Sequence, residues 1–316
     1  LGMVANVFYN LFSSYLRAVG NSRMPLVFLV LSACLNVVLD LILIINFKMG
    51  VAGAAWATNL SQAISAVLCA VYIYKKVPAL MPEKRHWRFH KGDTRYQLAT
   101  GIPMALQFAI TSSGTMVMQS AINLFGSEAV AAYTAAGKIH GLLTQGMVAM
   151  GQTMAVYSGQ NYGKGDAGRI RQGVRAALII EVIYSVASAV VVSAALGPSL
   201  GLFFSGEVDL AAMMPWARTY TTICTLFYVP LCTIFIFRNT MQGCGYGFLP
   251  MMGGVVELAA RLIVAVIAMD IHSYWLACAC DPAAWVGAGL FTGISYLYVI
   301  KKIEKNLGKG TAVHKS

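Results

Sequence analysis

Residues 15–43, YLRAVGNSRMPLVFLVLSACLNVVLDLIL, combine a short basic turn with an apolar run that Asn36 and Asp40 interrupt. These two polar residues are four apart, so on a helix they share one face, one turn above the other. A carboxylate is expensive to place inside a membrane, and an acid in a membrane helix is therefore a default candidate for function. This face is where we look first for chemistry.

The composition indicates an integral membrane protein. The 316 residues are 58% hydrophobic and 11% charged, with a mean hydropathy of +0.67, whereas a soluble domain has about 25% charged residues. The apolar runs are continuous for about 20 residues instead of alternating over about 10, which favours membrane helices over a β-barrel. We predict an all-α, polytopic membrane helix bundle.

Nine apolar segments follow one another along the chain, and the first is too short to span a membrane by itself. We expect residues 1–74 to be the remainder of an N-terminal lobe, 75–97 a cytoplasmic linker, 98–302 a C-terminal lobe and 303–316 a cytoplasmic tail. The predicted segments are 1–16, 25–47, 51–74, 98–124, 129–157, 176–196, 213–237, 249–269 and 285–300.

Lysine and arginine are distributed unequally between the two sides of this predicted topology. Alternate joins and the tail, with Arg238 among them, hold nineteen of the 23 Lys and Arg residues. Cytoplasmic joins collect basic residues, so the net charge of +11 reflects orientation in the bilayer rather than a nucleic-acid partner. We therefore expect a multi-pass protein of the cell (plasma or inner) membrane with a cytoplasmic C-terminus.

A weak internal repeat relates the opening stretch to a later one. The Gly-x4-Pro pattern at 20–25 recurs at 245–250, and Asn36 falls opposite Arg261, each at an offset of 225 residues. Both copies start from a cytoplasmic join, so the repeat is parallel, as in two-lobed transporters related by an axis along the membrane normal. If the second lobe begins near Leu98, this logic places about 127 residues before Leu1. We expect two six-helix lobes, the first of them incomplete in this chain.

Several short motifs resemble one family of transporters. Residues 16–25 (LRAVGNSRMP) are followed by the Asn-x3-Asp pair Asn36 and Asp40, and residues 126–133 (GSEAVAAY) and 159–166 (GQNYGKGD) enclose a further helix. These motifs resemble the multidrug and toxic compound extrusion (MATE) family, and the resemblance extends from that family's fourth helix to the tail.

The resemblance implies a V-shaped, two-lobed bundle that exports organic, often cationic, drugs and toxins in exchange for protons or sodium ions by alternating access. Some members carry acids in runs that correspond to 101–113 and 220–237, where this sequence has none. This departure favours coupling in the first lobe, as in the DinF-like branch. Two alternatives stay open: a flippase for lipid-linked oligosaccharides from the related superfamily, and a membrane fragment that does not transport.

The first-lobe candidates for binding the coupling proton or cation are Asp40, Asn36 and Thr58. Asp40 lies about fifteen residues, or roughly 22 Å, into its helix, which places it in the outer half of the membrane. A carboxylic acid in a low-dielectric cavity can take up and release a proton near neutral pH, and the Asn36 amide can donate to the carboxylate. Thr58 occupies the place of a threonine in the family's first-lobe site, which also uses an aspartate from the first helix. A structural polar cluster is the alternative reading.

Candidates in the second lobe are polar side chains and one pair of charges. Glu257 and Arg261 are four residues apart, so their charges can neutralise each other within the bilayer, and structural pairing is favoured over substrate contact. Hydrogen bonding by the other residues could line a substrate cavity or hold helices together. These candidates are Gln107, Thr111, Gln119, Asn123, Lys138 and Gln145.

Other kinds of site are not indicated. The seven cysteines have no metal-ligand spacing, so we expect no metal, and no phosphate-loop or catalytic motif points to an ATPase or another enzyme. The basic and aromatic residues at 84–91 suit anionic lipid headgroups better than RNA or a metal. We expect no cofactor other than H⁺ or Na⁺ as coupling ion, the lipid bilayer and a small organic substrate as partners, and a monomeric transporter.

Overall fold

The computed structural model describes residues 2–83, 88–203 and 210–313, so four residues of the basic and aromatic stretch at 84–91 lie outside the description. Throughout the described ranges the regular structure is helical, with no strand. A π-helical turn, Leu41–Asn46, continues the second helix. The α helices are α1 Gly2–Ala18, α2 Arg23–Asp40, α3 Gly50–Lys76, α4 Lys91–Ile122, α5 Ser127–Gly163, α6 Ala167–Phe203, α7 Leu210–Leu226, α8 Tyr228–Gly243, α9 Phe248–Asp270, α10 Tyr274–Cys278 and α11 Cys280–Val313.

The turns that precede α2 and α9 have the same backbone geometry. Gly20 and Gly245 both have φ of +84°, a left-handed conformation that glycine adopts without a steric penalty. In each turn the residue after the glycine donates its N–H to the carbonyl five residues earlier, at 2.9 Å in the first turn and 3.0 Å in the second. This pattern is a Schellman motif, which terminates a helix, so that the next helix can begin in a new direction. The shared geometry supports the repeat predicted from the Gly-x4-Pro pattern.

Each predicted apolar segment coincides with helix, but the seventh is broken. It consists of α7 and α8, which meet at Phe227 with a bend of 51°. Pro230 lies in the first turn of α8 and has no N–H to donate to the carbonyl of Leu226, so the helical ladder cannot continue across the break. The sequence therefore located this segment correctly but did not show that it is two helices.

Fewer helices qualify as membrane spans than the nine segments predicted. Within the described residues, five helices are long and apolar enough to cross a membrane, or six if the bent α7–α8 pair is one span. α4 and α5 are long, 32 and 37 residues, but they fall outside this group. These two helices carry five of the six polar candidates for a cavity, and the sixth, Asn123, lies in the short turn between them. Interior helices of a bundle tolerate such residues when neighbouring helices shield them from lipid.

The chain folds as two compact units. Unit 1, Leu1–His90, packs α1 and α2 against α3 around a small core of Leu16, Phe28, Cys69 and Ile73. The core is small, and large apolar side chains on all three helices are exposed, as expected for surfaces that face lipid or further helices.

Unit 2, Lys91–Ser316, is a bundle of the remaining helices. α4 packs on α9, α9 on α11, α11 on α8, and α5 lies between α8 and α6. Small residues make the α5–α8 approach possible, because a Cβ on Gly243 would come within 2.2 Å of the Ala155 carbonyl oxygen. Two buried apolar clusters fill this unit, a larger one that includes Met147 and Trp285 and a smaller one around Met154 and Ile170.

Candidate functional site

In unit 1 the structure brings Asn36 and Thr58 together. The Asn36 side-chain amide donates to the Thr58 hydroxyl at 3.4 Å, which links α2 to α3. Thr58 in turn donates to the carbonyl of Ala54 at 3.0 Å, so its hydrogen is directed along its own helix and its oxygen faces Asn36. The pair is a polar contact between α2 and α3, in addition to the Ser65 hydroxyl, which donates to the Phe28 carbonyl at 3.1 Å.

Asp40 is the last residue of α2, directly before the π-helical turn. Its Oδ1 is buried and has no hydrogen-bond partner among the described residues. The Asn36 amide donates to Thr58 in this structure and not to Asp40 Oδ1. π-Helical turns are rare and frequently lie at functional sites. Asp40 thus combines an unpartnered carboxylate oxygen with an irregular helix in an apolar segment.

In unit 2 the predicted pair of charges is part of a larger network. Arg261 donates through Nη2 to Glu257 at 2.9 Å, and through Nε to Asp281 at 2.7 Å. The second oxygen of Glu257 accepts from Arg238 at 2.9 Å. Two arginines and two acids therefore alternate across α8, α9 and α11, and their formal charges sum to zero. Such mutual neutralisation is what makes buried charges tolerable.

Arg238 is not at a cytoplasmic join, as its charge suggested, but buried within α8. Asp281, in the first turn of α11, was not a candidate at all. The sequence gives no local signal for either contact, because the paired residues are nineteen and twenty positions apart on different helices.

Gly114 of α4 lies against Arg261 of the same charge network. A Cβ on Gly114 would lie 2.7 Å from Nη1 of Arg261, closer than such atoms approach. This nitrogen is also buried without a hydrogen-bond partner in the described structure. The absence of a side chain at Gly114 therefore leaves room for the guanidinium group.

The polar cavity candidates do not gather in one place. Gln107 is 3% exposed, and its Oε1 accepts from Gln242 of α8 at 2.7 Å, so it joins helices rather than lining an open cavity. Thr111 donates back to the carbonyl of Gln107 on its own helix. Among the candidates, these two side chains serve helix packing and local bonding.

The other four candidates are more accessible to solvent. Gln119 donates to Asn123 at 3.0 Å near the end of α4, in an exposed contact. Lys138 and Gln145, two turns apart on α5, are both exposed. These four side chains are more accessible than Gln107, which is buried between α4 and α8.

A buried aromatic group surrounds His140 of α5, a residue the sequence analysis did not place among its candidates. Its Nδ1 lies 2.9 Å from the hydroxyl of Tyr228. Its ring stacks on Trp285 of α11, with ring centroids 5.6 Å apart and planes at 10°. Tyr220 of α7 lies against its edge. Only the folded structure shows that one imidazole connects α5 with α7, α8 and α11.

Comparison with known proteins identifies the family. The MatE family model matches residues 103–267, which is more than half of the chain. This chain belongs to the MatE family. The resemblance recognised in the motifs is thereby confirmed, whereas the DinF-like branch stays a prediction. Members of the family are transporters and not enzymes.

Relatives of known name match parts of this MatE chain. It is 34% identical over 164 residues to the probable multidrug resistance protein YpnP of Bacillus subtilis, covering 51% of this chain and 36% of that protein. It is 25% identical over 288 residues to the probable multidrug resistance protein NorM of Thermotoga maritima, covering 87% and 58%. The chain thus spans between about a third and three-fifths of the length of these relatives.

Solved MATE structures have the same fold. A crystal structure of MATE in the bent conformation superposes with a TM-score of 0.87 at 20% identity, covering 97% of this chain and 68% of the other. The outward-facing conformation of a multidrug resistance MATE family transporter gives a TM-score of 0.82 at 21% identity, covering 96% and 67%. At this level of identity the likeness establishes the fold.

Proposed function

We propose that the whole protein exports small organic, often cationic, compounds by alternating access, in exchange for protons or, as a second choice of ion, sodium. The observation that carries this proposal is the buried, unpartnered oxygen of Asp40 at the start of a π-helical turn. Membership of the MatE family and relatives named as multidrug resistance proteins support the cargo. The transporter acts as a monomer in the cell membrane, with its C-terminus in the cytoplasm.

Asp40 is suited to couple transport to an ion because no cation pairs with its carboxylate among the residues that the structure describes. In a low-dielectric place a lone carboxylate is costly, whereas the protonated acid or an ion-bound carboxylate is not. Binding and release of the ion therefore change the energy of this segment, and a change of this kind can shift the balance between two conformations. The Asn36–Thr58 contact supplies an amide and a hydroxyl nearby that hold α2 against α3.

The test is transport in membrane vesicles that contain the full-length protein. Efflux of a fluorescent organic cation is driven by an imposed proton gradient or sodium gradient, and Asp40→Asn should abolish the gradient-driven part. Asp270→Asn is the matched control, because it makes the same chemical change at an exposed helix end and should leave efflux intact. Wild-type efflux in the Asp40→Asn variant would refute the coupling role. The gradient that drives efflux identifies the ion.

A further inference from the structure

α6 contains a buried acid that lies outside the charge network. Glu181 is 3% exposed, although its neighbours Ile179, Ile180 and Ile183 are all more than half exposed. The carboxyl group therefore points into unit 2 while the adjacent isoleucines face outward to lipid. The helix around it, residues 167–201, is among the apolar spans.

No cation neutralises Glu181 in the described part of the structure. Its Oε2 is buried without a hydrogen-bond partner, as is the hydroxyl of Ser185 one turn further along α6. The thiol of Cys232 on α8 lies beside both side chains. This environment contrasts with that of Glu257, whose two oxygens each accept from an arginine.

The helices packed against α6 bring no opposite charge to this level. The stretch of α5 between Gly146 and Tyr157, whose two ends contact α6 on either side of Glu181, contains no charged residue. At this level of α8 the titratable side chains are Cys232 and, one turn away, Tyr228. The charged residue of α8, Arg238, is paired with Glu257. α7 contacts the far end of α6, where its titratable residues Tyr220 and Cys224 belong to the larger apolar cluster. The charged residue of α7, Arg218, is exposed.

Apart from Asp281, which pairs with Arg261, the ion pair that α11 forms with α6 lies near the start of α6. Glu304 of α11 pairs with Arg171 at 2.9 Å, ten residues and about 15 Å along the helix from Glu181. Arg175 is exposed and six residues from Glu181, which places it about 9 Å along the helix and roughly 120° around it from the buried carboxyl group. Neither arginine can form an ion pair with Glu181 in this geometry.

We propose that Glu181 binds a proton, so that unit 2 has a proton-binding carboxyl group of its own, separate from Asp40 in unit 1. A buried carboxylate without a partner costs several kcal/mol or more, whereas the neutral acid can donate its O–H to the adjacent hydroxyl or thiol. The proton comes from water and returns to water, with no covalent bond to carbon formed or broken. This proposal does not depend on the proposed export function.

Ser185, one turn from Glu181, also borders a surface cleft of unit 2. Ser185 lines a cleft of about 700 Å³ at the α7–α8 bend, together with Thr225 and Tyr228. Ser185 is therefore the side chain that Glu181 and the residues of the α7–α8 bend have in common. Exchange of the proton through this cleft would use Ser185 as the intermediate hydroxyl.

Infrared spectroscopy of the purified full-length protein tests the proposal, because the C=O stretch of a protonated carboxyl group is distinct from that of a carboxylate. At neutral pH, Glu181→Gln should remove one protonated-carboxyl band from the spectrum. Glu304→Gln removes an exposed, arginine-paired carboxylate and should leave that band unchanged. Because glutamine resembles the neutral acid, Glu181→Gln should also keep the wild-type unfolding midpoint.

Glu181→Met provides a second variant without a titratable group, should the glutamine variant fail to fold. Loss of the band in either folded variant supports the proposal. A protonated-carboxyl region identical to wild type in a folded variant overturns it, since Glu181 would then be ionised. Transport is not needed for this measurement, so failure of the export proposal and failure of this one are distinguishable.

Discussion

Removing the charge of Glu257 should destabilise unit 2 strongly. This carboxylate accepts from Arg238 and Arg261, both at 2.9 Å, and the three side chains are at most 8% exposed. In the Glu257→Gln variant, Arg261 keeps Asp281 at 2.7 Å, but Arg238 loses its anionic partner while remaining buried. The network then carries one uncompensated positive charge.

The magnitude follows from the burial of that charge. Breaking a buried pair by removing one partner costs about 3–5 kcal/mol, because the other charge is left without compensation. An exposed pair contributes about 0–1 kcal/mol. Glu304→Gln is the matched control, since its partner Arg171 is 49% exposed and Glu304 itself 39%. The two variants should therefore differ by at least about 2 kcal/mol in the free energy of unfolding.

The assay is denaturant unfolding of the purified protein in detergent, followed by far-UV circular dichroism. The double variant Glu257→Gln with Arg238→Met should recover most of the lost stability, because it removes the stranded charge along with its partner. Equal stability of Glu257→Gln and Glu304→Gln would refute the reasoning. So would a double variant less stable than Glu257→Gln, because Arg238 would then not be the source of the cost.

Two further variants test contacts of α4. Gly114→Ala should cost about 1–3 kcal/mol of unfolding free energy, because the new Cβ would meet Arg261 Nη1 at 2.7 Å. Gly101→Ala is the control, since the space around Gly101 is open, and it should be neutral or stabilising by up to about 1 kcal/mol. Equal unfolding midpoints of the two variants would contradict the steric argument. Gln107→Ala should cost about 1–3 kcal/mol, because Gln242 of α8 loses a partly buried hydrogen bond. The exposed Gln145→Ala should change stability by under about 0.5 kcal/mol. Thermal unfolding in detergent measures both pairs, and a larger loss for Gln145→Ala would reverse this assignment of packing.

Helix positions were readable from the sequence because hydropathy and turn signals are local properties. The Gly-x4-Pro repeat predicted matching turns, and Gly20 and Gly245 have the same φ of +84°. The motif at 126–133 coincides with the start of α5, and the one at 159–166 with its end. Asn36 and Thr58 were grouped by family resemblance, and their side chains lie in contact.

The sequence by itself determined the all-helical class and the order of the apolar segments, and it identified Asp40 as a candidate for binding the coupling ion. The tertiary structure alone decided which charges are compensated, because ion pairs across helices depend on packing rather than on spacing. Arg238 and Asp281 complete the network of Glu257 and Arg261. Glu181 sits in a segment read only as apolar, and its lack of a partner emerged once the neighbouring helices were in place.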